Sequence, residues 1–410
     1  MLTRYIQMNW NRAGLQLTLL MLIATTALAQ DLSGRFKASV MVASRSETLA
    51  QALYGHAFFR LQYPAELLDY VFSLETHNNS EKPWDIILGN YDSRVMAFET
   101  KDYLKQFAEQ KRTEAQLPLN LTEHEIQTLW RVLDETIADT TQVIPADFFT
   151  NGCSSELTQI LLRCIDGEVE FDPQVQDSIG CTKFQLGATY RTQTSWHIIA
   201  LPFFATNDMH REQPPPLIAY APVALPYIYS HAYIVNGNDR RPLLSQPIAT
   251  VYAPNGTVSN ASVRQVHFFP RDSRTPMAVY LIALIILQVA VCLVFRRLLR
   301  PISIVLFATY NLIFLLLLLI SWHTSIVEFH GWNWLYLFFN PVPLLLWLIN
   351  RVKPFGRKTT TIISNVMIAW SVICIVIIAA RPDMFLLEQA IITAIFAIQI
   401  VLERNYYKNK

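Results

Sequence analysis

Glycine is scarce in this chain, with 12 residues among 410 and none of them clustered. A phosphate-cradling loop needs several glycines close together, so a nucleotide-binding protein of the usual kinds is excluded. No grouping of His, Cys, Asp and Glu has metal-ligand spacing, and neither a metal nor any other cofactor is expected. Net charge is also lacking: 33 basic residues stand against 32 acidic ones. The overall charge therefore offers no field to attract nucleic acid, and no nucleic-acid partner is expected. Cysteines number five, three of them (Cys153, Cys164 and Cys181) before the strongly apolar final third.

What the chain does have is apolar sequence concentrated at its two ends. Arg4 and Arg12 precede an apolar run from Leu15 to Leu28, and Ala27-Leu28-Ala29 follows the small-x-small pattern of a signal-peptide cleavage site. Residues 1–29 are thus expected to be a signal peptide, with an uncleaved anchor helix as the alternative; either way the next residues are exported. From Pro276 onward five apolar segments, 277–295, 302–322, 332–349, 361–380 and 384–402, each approach the roughly 20 residues that cross a bilayer. The third contains Asn340-Pro341-Val342-Pro343, and proline there opens a helix. Arg296, Arg297 and Arg300 follow the first segment, Arg351, Lys353, Arg357 and Lys358 the third, and Arg404, Lys408 and Lys410 the fifth. Basic loops mark the cytoplasmic side. Residues 30–275 are therefore expected outside the cytoplasm, with 276–410 forming a five-span membrane domain and the C-terminus cytoplasmic.

Within the exported part, HAFFRLQY (56–63) alternates, placing His56, Phe58, Arg60 and Gln62 on one face of a strand. WDIILGNYD (84–92) reads as a second strand ending in a turn. Thr122 and Glu125 form a capping box, after which Ile126, Leu129, Trp130, Leu133 and Ile137 repeat at helical spacing. In FFTNGCSSELTQILL (148–162) Leu157, Ile160, Leu161 and Cys164 do the same, which puts Cys153 at the first turn of a helix.

Three roles are open for Cys153: packing, half of a disulfide, or nucleophile. Unpaired N–H groups at a helix start favour a thiolate and can hold an oxyanion. Gly152 and the short serines leave the sulfur accessible, although Ser154 or Ser155 alternatively caps the helix. An oxidising compartment permits a Cys164–Cys181 disulfide, and that would leave Cys153 as an odd free thiol. A thiol nucleophile needs a base, and His56, following Gly55 and opening a strand, is the best placed of the exported histidines.

YGHAFFRL, WDIILGNYD, LPLNLTEHEIQTLWRVL and FFTNGCSSEL, in that order, resemble an exported family with a histidine followed by an Asn-Cys-Thr motif. Followed by several spans, the pattern resembles the bacterial lipoprotein N-acyltransferase family Lnb. WHIIALPFFATND, PYIYSHAYIVNGNDRRPLL and SWHTSIVEFHGWNWLYLFFNPVPLLLW extend the resemblance. It implies an α+β, circularly permuted papain-like (NlpC-type) periplasmic domain ahead of an all-α transmembrane bundle in the inner membrane. It implies His56 as base and Cys153 as nucleophile. The family's asparagine directly precedes the cysteine; here Gly152 does, with Asn151 one place earlier. Asp85, Asn90 and Asp92 are open as the third member of a triad. Arg60, on the His56 face of its strand, His323, in the loop before the third span, and Asn340, at the break within that span, are the candidate substrate-binding residues. The implied partners are a phospholipid acyl donor, a diacylated lipoprotein acceptor and the membrane itself. Two rival functions remain: a membrane-anchored thiol peptidase or amidase acting on cell-wall peptide, for which five spans exceed the one anchor needed, and a non-catalytic membrane assembly factor.

Overall fold

A computed structural model describes residues 35–46, 52–76, 88–190 apart from 140, 142 and 146, 205–252, 268–269, 276–338 and 355–408, with the single positions 85, 342, 345, 346 and 349. The expected signal segment 1–29 and Asn340 lie outside the described residues.

Seven strands form one antiparallel sheet in the order β10-β5-β1-β2-β3-β4-β6. The strands are β1 (Lys37–Ala43), β2 (His56–Tyr63), β3 (Leu68–Thr76), β4 (Asp92–Glu99), β5 (Glu114–Pro118), β6 (Ile144–Pro145) and β10 (Ala249–Tyr252). A smaller sheet joins β7 (Glu168–Phe171), β8 (Ala232–Asn236) and β9 (Asp239–Pro242). Helices cover both faces of the large sheet. Helix α1 (Thr100–Glu109) brings Tyr103 and Phe107 onto the face that carries Met41, Phe58 and Val71. The opposite face, with Val40, Val42, Phe59 and Leu61, packs with α2 (Glu123–Ala138) and α3 (Cys153–Cys164). Covering both faces is why β1 is buried continuously from Ala38 to Ala43.

The predicted capping box is present: Thr122 Oγ1 accepts from Glu125 N at 3.2 Å, and Glu125 Oε2 accepts from Thr122 N at 2.6 Å. Glu125 has a second role that the motif does not reveal. Its fully buried carboxylate receives a fork of two bonds from Arg241 at 2.7 and 2.6 Å and one from Asp166 N at 2.9 Å, tying β9 and the end of α3 to α2.

The strand predicted across 84–92 is corrected. Asp85 and Leu88 are helical, Asn90 N donates to Asp85 O at 2.8 Å, and Gly89 adopts φ 70°, so the strand starts only at Asp92. The predicted disulfide is also corrected: Cys164 and Cys181 are both free. Cys164 is buried at the end of α3 in the core, while Cys181 hydrogen-bonds Gln185 Oε1 beside α4 (Lys183–Tyr190).

In the C-terminal part, three helices among the described residues are long and apolar enough to cross a membrane, at Met277–Val294, Arg296–His323 and Lys358–Ala380. They correspond to α5 (Met277–Val294), α6 (Leu299–His323) and α7 (Arg357–Ala380), and to three of the five predicted spans. The predicted fifth span is a helix, α8 (Leu387–Lys408), more polar than the others: Glu388, Gln389, Gln399 and Glu403 lie on it, all buried. Its Gln399 accepts from Gln288 of α5 at 2.9 Å and donates to Ser303 of α6 at 2.7 Å. Side-chain amides of this kind hold helices together where no hydrophobic force distinguishes helix from lipid. Of the predicted third span, 332–349, the described residues include one short helix at Leu335–Phe338.

Candidate active site

Cys153 and His56 meet at the end of the sheet where β2 begins. Each is delivered by a glycine. Gly55, immediately before His56, has φ 95°, and a Cβ there would lie 2.6 Å from Ala43 O and 3.0 Å from a Val223 methyl carbon. Gly152 caps the N-terminus of α3 with ordinary dihedrals, but a Cβ on it would stand 2.5 Å from Phe148 O. That contact is a physical reason for glycine where the related motif has asparagine.

Neither serine after the cysteine caps the helix. Ser154 Oγ donates to the Ala219 carbonyl, Ser155 Oγ donates to the Phe149 carbonyl at 2.9 Å, and both side chains are buried. They fasten the first turn of α3 to the core and leave its N–H groups unclaimed by side-chain caps. Cys153 itself is half-buried.

The two side chains act on one another. Burial works against a thiolate at Cys153, but the charge and hydrogen bond of His56 and the Ala57 N–H outweigh it and hold the thiol below its usual value. Burial alone would also discharge His56; Cys153 and Glu75 together raise it to about 9. Both shifts run in the direction that favours a thiolate beside an imidazolium, and the thiolate is the reactive form of a cysteine.

The group that orients His56 was not among the predicted candidates. His56 Nε2 lies 2.9 Å from Ser73 Oγ, 3.2 Å from Tyr103 Oη and 3.8 Å from Glu75 Oε1. Tyr103 Oη donates to Glu75 Oε1 at 2.5 Å and lies 2.8 Å from Ser73 Oγ. With the ring protonated, Nε2–H donates to Ser73, Ser73 to Tyr103, and Tyr103 to the carboxylate. Burial opposes ionisation of Glu75, but the bond and charge of His56 keep its carboxyl below the usual range. A third polar group at a base is the general logic of a catalytic triad. The sequence signal for this one was faint: Ser73 and Glu75 share a face of β3 with Asp69 and Val71, opposite the apolar Phe72 and Leu74.

Of the three residues open as the third member of a triad, Asp85 and Asn90 share the turn before Tyr91, the Asp85 carbonyl accepting from Asn90 N at 2.8 Å, and Asp92 opens β4, whereas Glu75 stands behind His56. Asn151 Nδ2 donates to Pro145 O at 3.2 Å. Tyr91, not considered from sequence, is electrically close to the thiol: burial, Asp147 and the Cys153 charge push its hydroxyl up to about 12. Arg112 is a further buried neighbour. Its guanidinium lies 4.9 Å over the Phe107 ring, which is tilted against the His56 ring at 6.2 Å, and its Nε donates to Ser44 O at 2.7 Å.

Two of the predicted substrate-binding residues, Arg60 and His323, are among the described residues. Arg60 is gripped by Asp69 through two bonds at 2.9 and 2.6 Å, so its charge is already neutralised within the sheet. His323 is exposed at the end of α6, its Nδ1 3.0 Å from Leu319 O. Among the described residues no cluster could hold a metal ion.

No curated protein and no solved structure matches the chain. One family model does match, over residues 35–192, a span that contains β1 to β7, α1 to α4 and every member of the Cys153–His56–Glu75 group; its description is the Lnb N-terminal periplasmic domain. Over those residues, under half of the chain, it is similar to the Lnb N-terminal periplasmic domain.

Proposed function

We propose that the chain is a lipoprotein N-acyltransferase of the bacterial inner membrane that works through a thioester on Cys153. The observation that carries the reading is the Cys153–His56 pair, backed by Glu75, in an Lnb-type domain continuous with membrane-capable helices. The domain reads as a permuted papain-like unit, with the histidine strand ahead of the cysteine helix, on the periplasmic side of a multi-span bundle.

In the first half-reaction the Cys153 thiolate attacks an acyl ester carbonyl of a phospholipid. The tetrahedral oxyanion lies at the start of α3, where backbone N–H groups favour negative charge. The C–O bond breaks, His56 gives its proton to the departing lysophospholipid alkoxide, and an acyl thioester remains. In the second half the α-amino group of the lipidated N-terminal cysteine of a lipoprotein attacks the thioester. His56 takes the amine proton, the C–S bond breaks, an amide forms, and the thiolate–imidazolium pair is restored. Both substrates are lipids, which explains a thiol enzyme carrying several apolar helices where a peptidase needs one anchor.

The test uses full-length protein in vesicles containing phospholipid with a radiolabelled acyl chain. Label should appear on the protein, be released by neutral hydroxylamine as a thioester is, and chase onto a diacylated lipopeptide; Cys153→Ala should show neither event. Transfer at the normal rate by Cys153→Ala would refute the covalent route.

A further inference from the structure

We infer that the segment Thr324–Asn333, which follows the second membrane-capable helix, is a positioning element of the thiol site, and that Glu328 is the residue through which it sets the height of Cys153 above the lipid. The inference rests on the acyltransfer reading for its purpose, and on the contacts below for its substance.

Glu328 lies on the connection that leaves α6, yet it is 2% exposed and sits in the interior of the thiol domain. Its Oε1 accepts from Lys183 Nζ and, at 3.1 Å, from Thr150 Oγ1; Lys183 Nζ also donates to Thr150 Oγ1 at 3.2 Å. The Glu328 carbonyl accepts twice from Thr206, from its N and its Oγ1, each at 2.9 Å. Ser325 N donates to Leu88 O at 3.0 Å, and Ser325 Oγ lies 3.1 Å from Gly89 O. Phe329 packs edge-on against Phe149 at 5.3 Å, and Ile326 and Phe329 belong to the same core as α3.

The places touched are specific. Phe149 and Thr150 lie in the turn just before the Cys153 helix, ahead of its Gly152 cap; Leu88 and Gly89 lead into Tyr91 beside the thiol. Lys183 opens helix α4, where a cation faces the unfavourable end of the helix dipole, and Glu328 offsets that charge. A buried ion pair is a weak source of net stability, but it has one low-energy arrangement, so it can fix register. Apolar contacts alone would let the domain slide on the helix end. The carboxylate, two threonine hydroxyls and the Ser325 bonds give a directional lock. Because α6 ends at His323, five residues before Glu328, the distance from the end of the membrane helix to the thiol is fixed by a short, bonded segment.

The test measures the height of the thiol without using acyl transfer. Full-length protein is reconstituted in phosphatidylcholine vesicles containing a lipid whose head group carries a maleimide, and modification of Cys153 is followed by peptide mapping. A parallel sample receives water-soluble N-ethylmaleimide. Glu328→Ala should slow modification by the anchored maleimide about tenfold or more while the soluble reagent stays within about twofold, since an ångström-scale displacement costs rate where geometry is demanding. Glu328→Ala can fail to fold, because it leaves Lys183 unpaired. The double variant Lys183→Met with Glu328→Met replaces the pair by apolar side chains of similar volume and should give the same split. Parallel loss with both reagents in the double variant would make Glu328 merely structural, and unchanged rates with both would make the segment a passive linker; either overturns the inference. Alkylation needs only a reactive thiol, so these outcomes are separate from failure of acyl transfer itself.

Discussion

Glu75→Gln removes one charge from behind His56 while keeping the shape of the side chain and an oxygen for Tyr103. The carboxylate lies 3.8 Å from Nε2; at an effective dielectric constant of about 20 this is a Coulomb term of roughly 4 kcal/mol as an upper figure. Glu75 keeps 32% of its side chain in contact with solvent, and with that screening about 1–2 kcal/mol is the usable value, or roughly one pH unit. The sign follows from the direction of the shift. His56 has its pKa raised, to about 9, so the imidazolium is complete at neutral pH and is lost as pH rises through that value. Without Glu75 the loss comes earlier, and the alkaline limb of the rate profile should move down from about 9 by roughly one unit. The acid limb, which reports Cys153, should move less, because Glu75 acts on the thiol directly in the opposite sense to its action through His56. The assay is the pH dependence of acyl transfer by full-length protein in vesicles, with iodoacetamide labelling of Cys153 as the companion measurement of the thiolate. An alkaline limb that stays in place in Glu75→Gln would refute the role given to Glu75 and return the third position to another residue.

Two further outcomes are expected. Gly152→Ala places a methyl 2.5 Å from Phe148 O, so the first turn of α3 must shift; acyl transfer should fall by about a hundredfold, as for a small misplacement of a reacting group, while the thermal midpoint changes by only a few degrees. Arg241→Met leaves the buried Glu125 carboxylate without its cation and should destabilise the thiol domain by about 3–5 kcal/mol, read as a lowered unfolding midpoint in detergent. Burial opposes charge on Glu125, but Arg241 and the Thr122 and Asp166 N–H groups keep its carboxyl below the usual range. Its contribution is therefore present above the unfolded carboxylate pKa and is lost as pH falls through the folded one, so the wild-type and Arg241→Met curves should converge in acid.

Patterns with a period or a local partner were legible from sequence. The alternation of HAFFRLQY, the capping box at Thr122 and Glu125, the helical repeat after Cys153 and the long apolar runs beyond Pro276 each depend on residues a few positions apart, where covalent geometry decides which side chains share a face. From them the sequence by itself determined a thiol at a helix start, a histidine at a strand start, and a chain continuing into membrane-capable helices. It could not determine the partner of His56. Ser73 and Tyr103 reach the ring only because β3 pairs beside β2 and α1 folds back across that face, and their separations in sequence, 17 and 47 residues, carry no periodic trace. The same reason defeated the disulfide: counting cysteines shows which pairs are permitted, whereas the fold buries Cys164 in the core and places Cys181 in a loop beside Gln185. The Glu328–Lys183 pair is the extreme case, 145 residues apart. Nothing local in the sequence relates its two charges; only when the chain packs a membrane-side connection against the base of the cysteine helix does tertiary burial turn them into a lock.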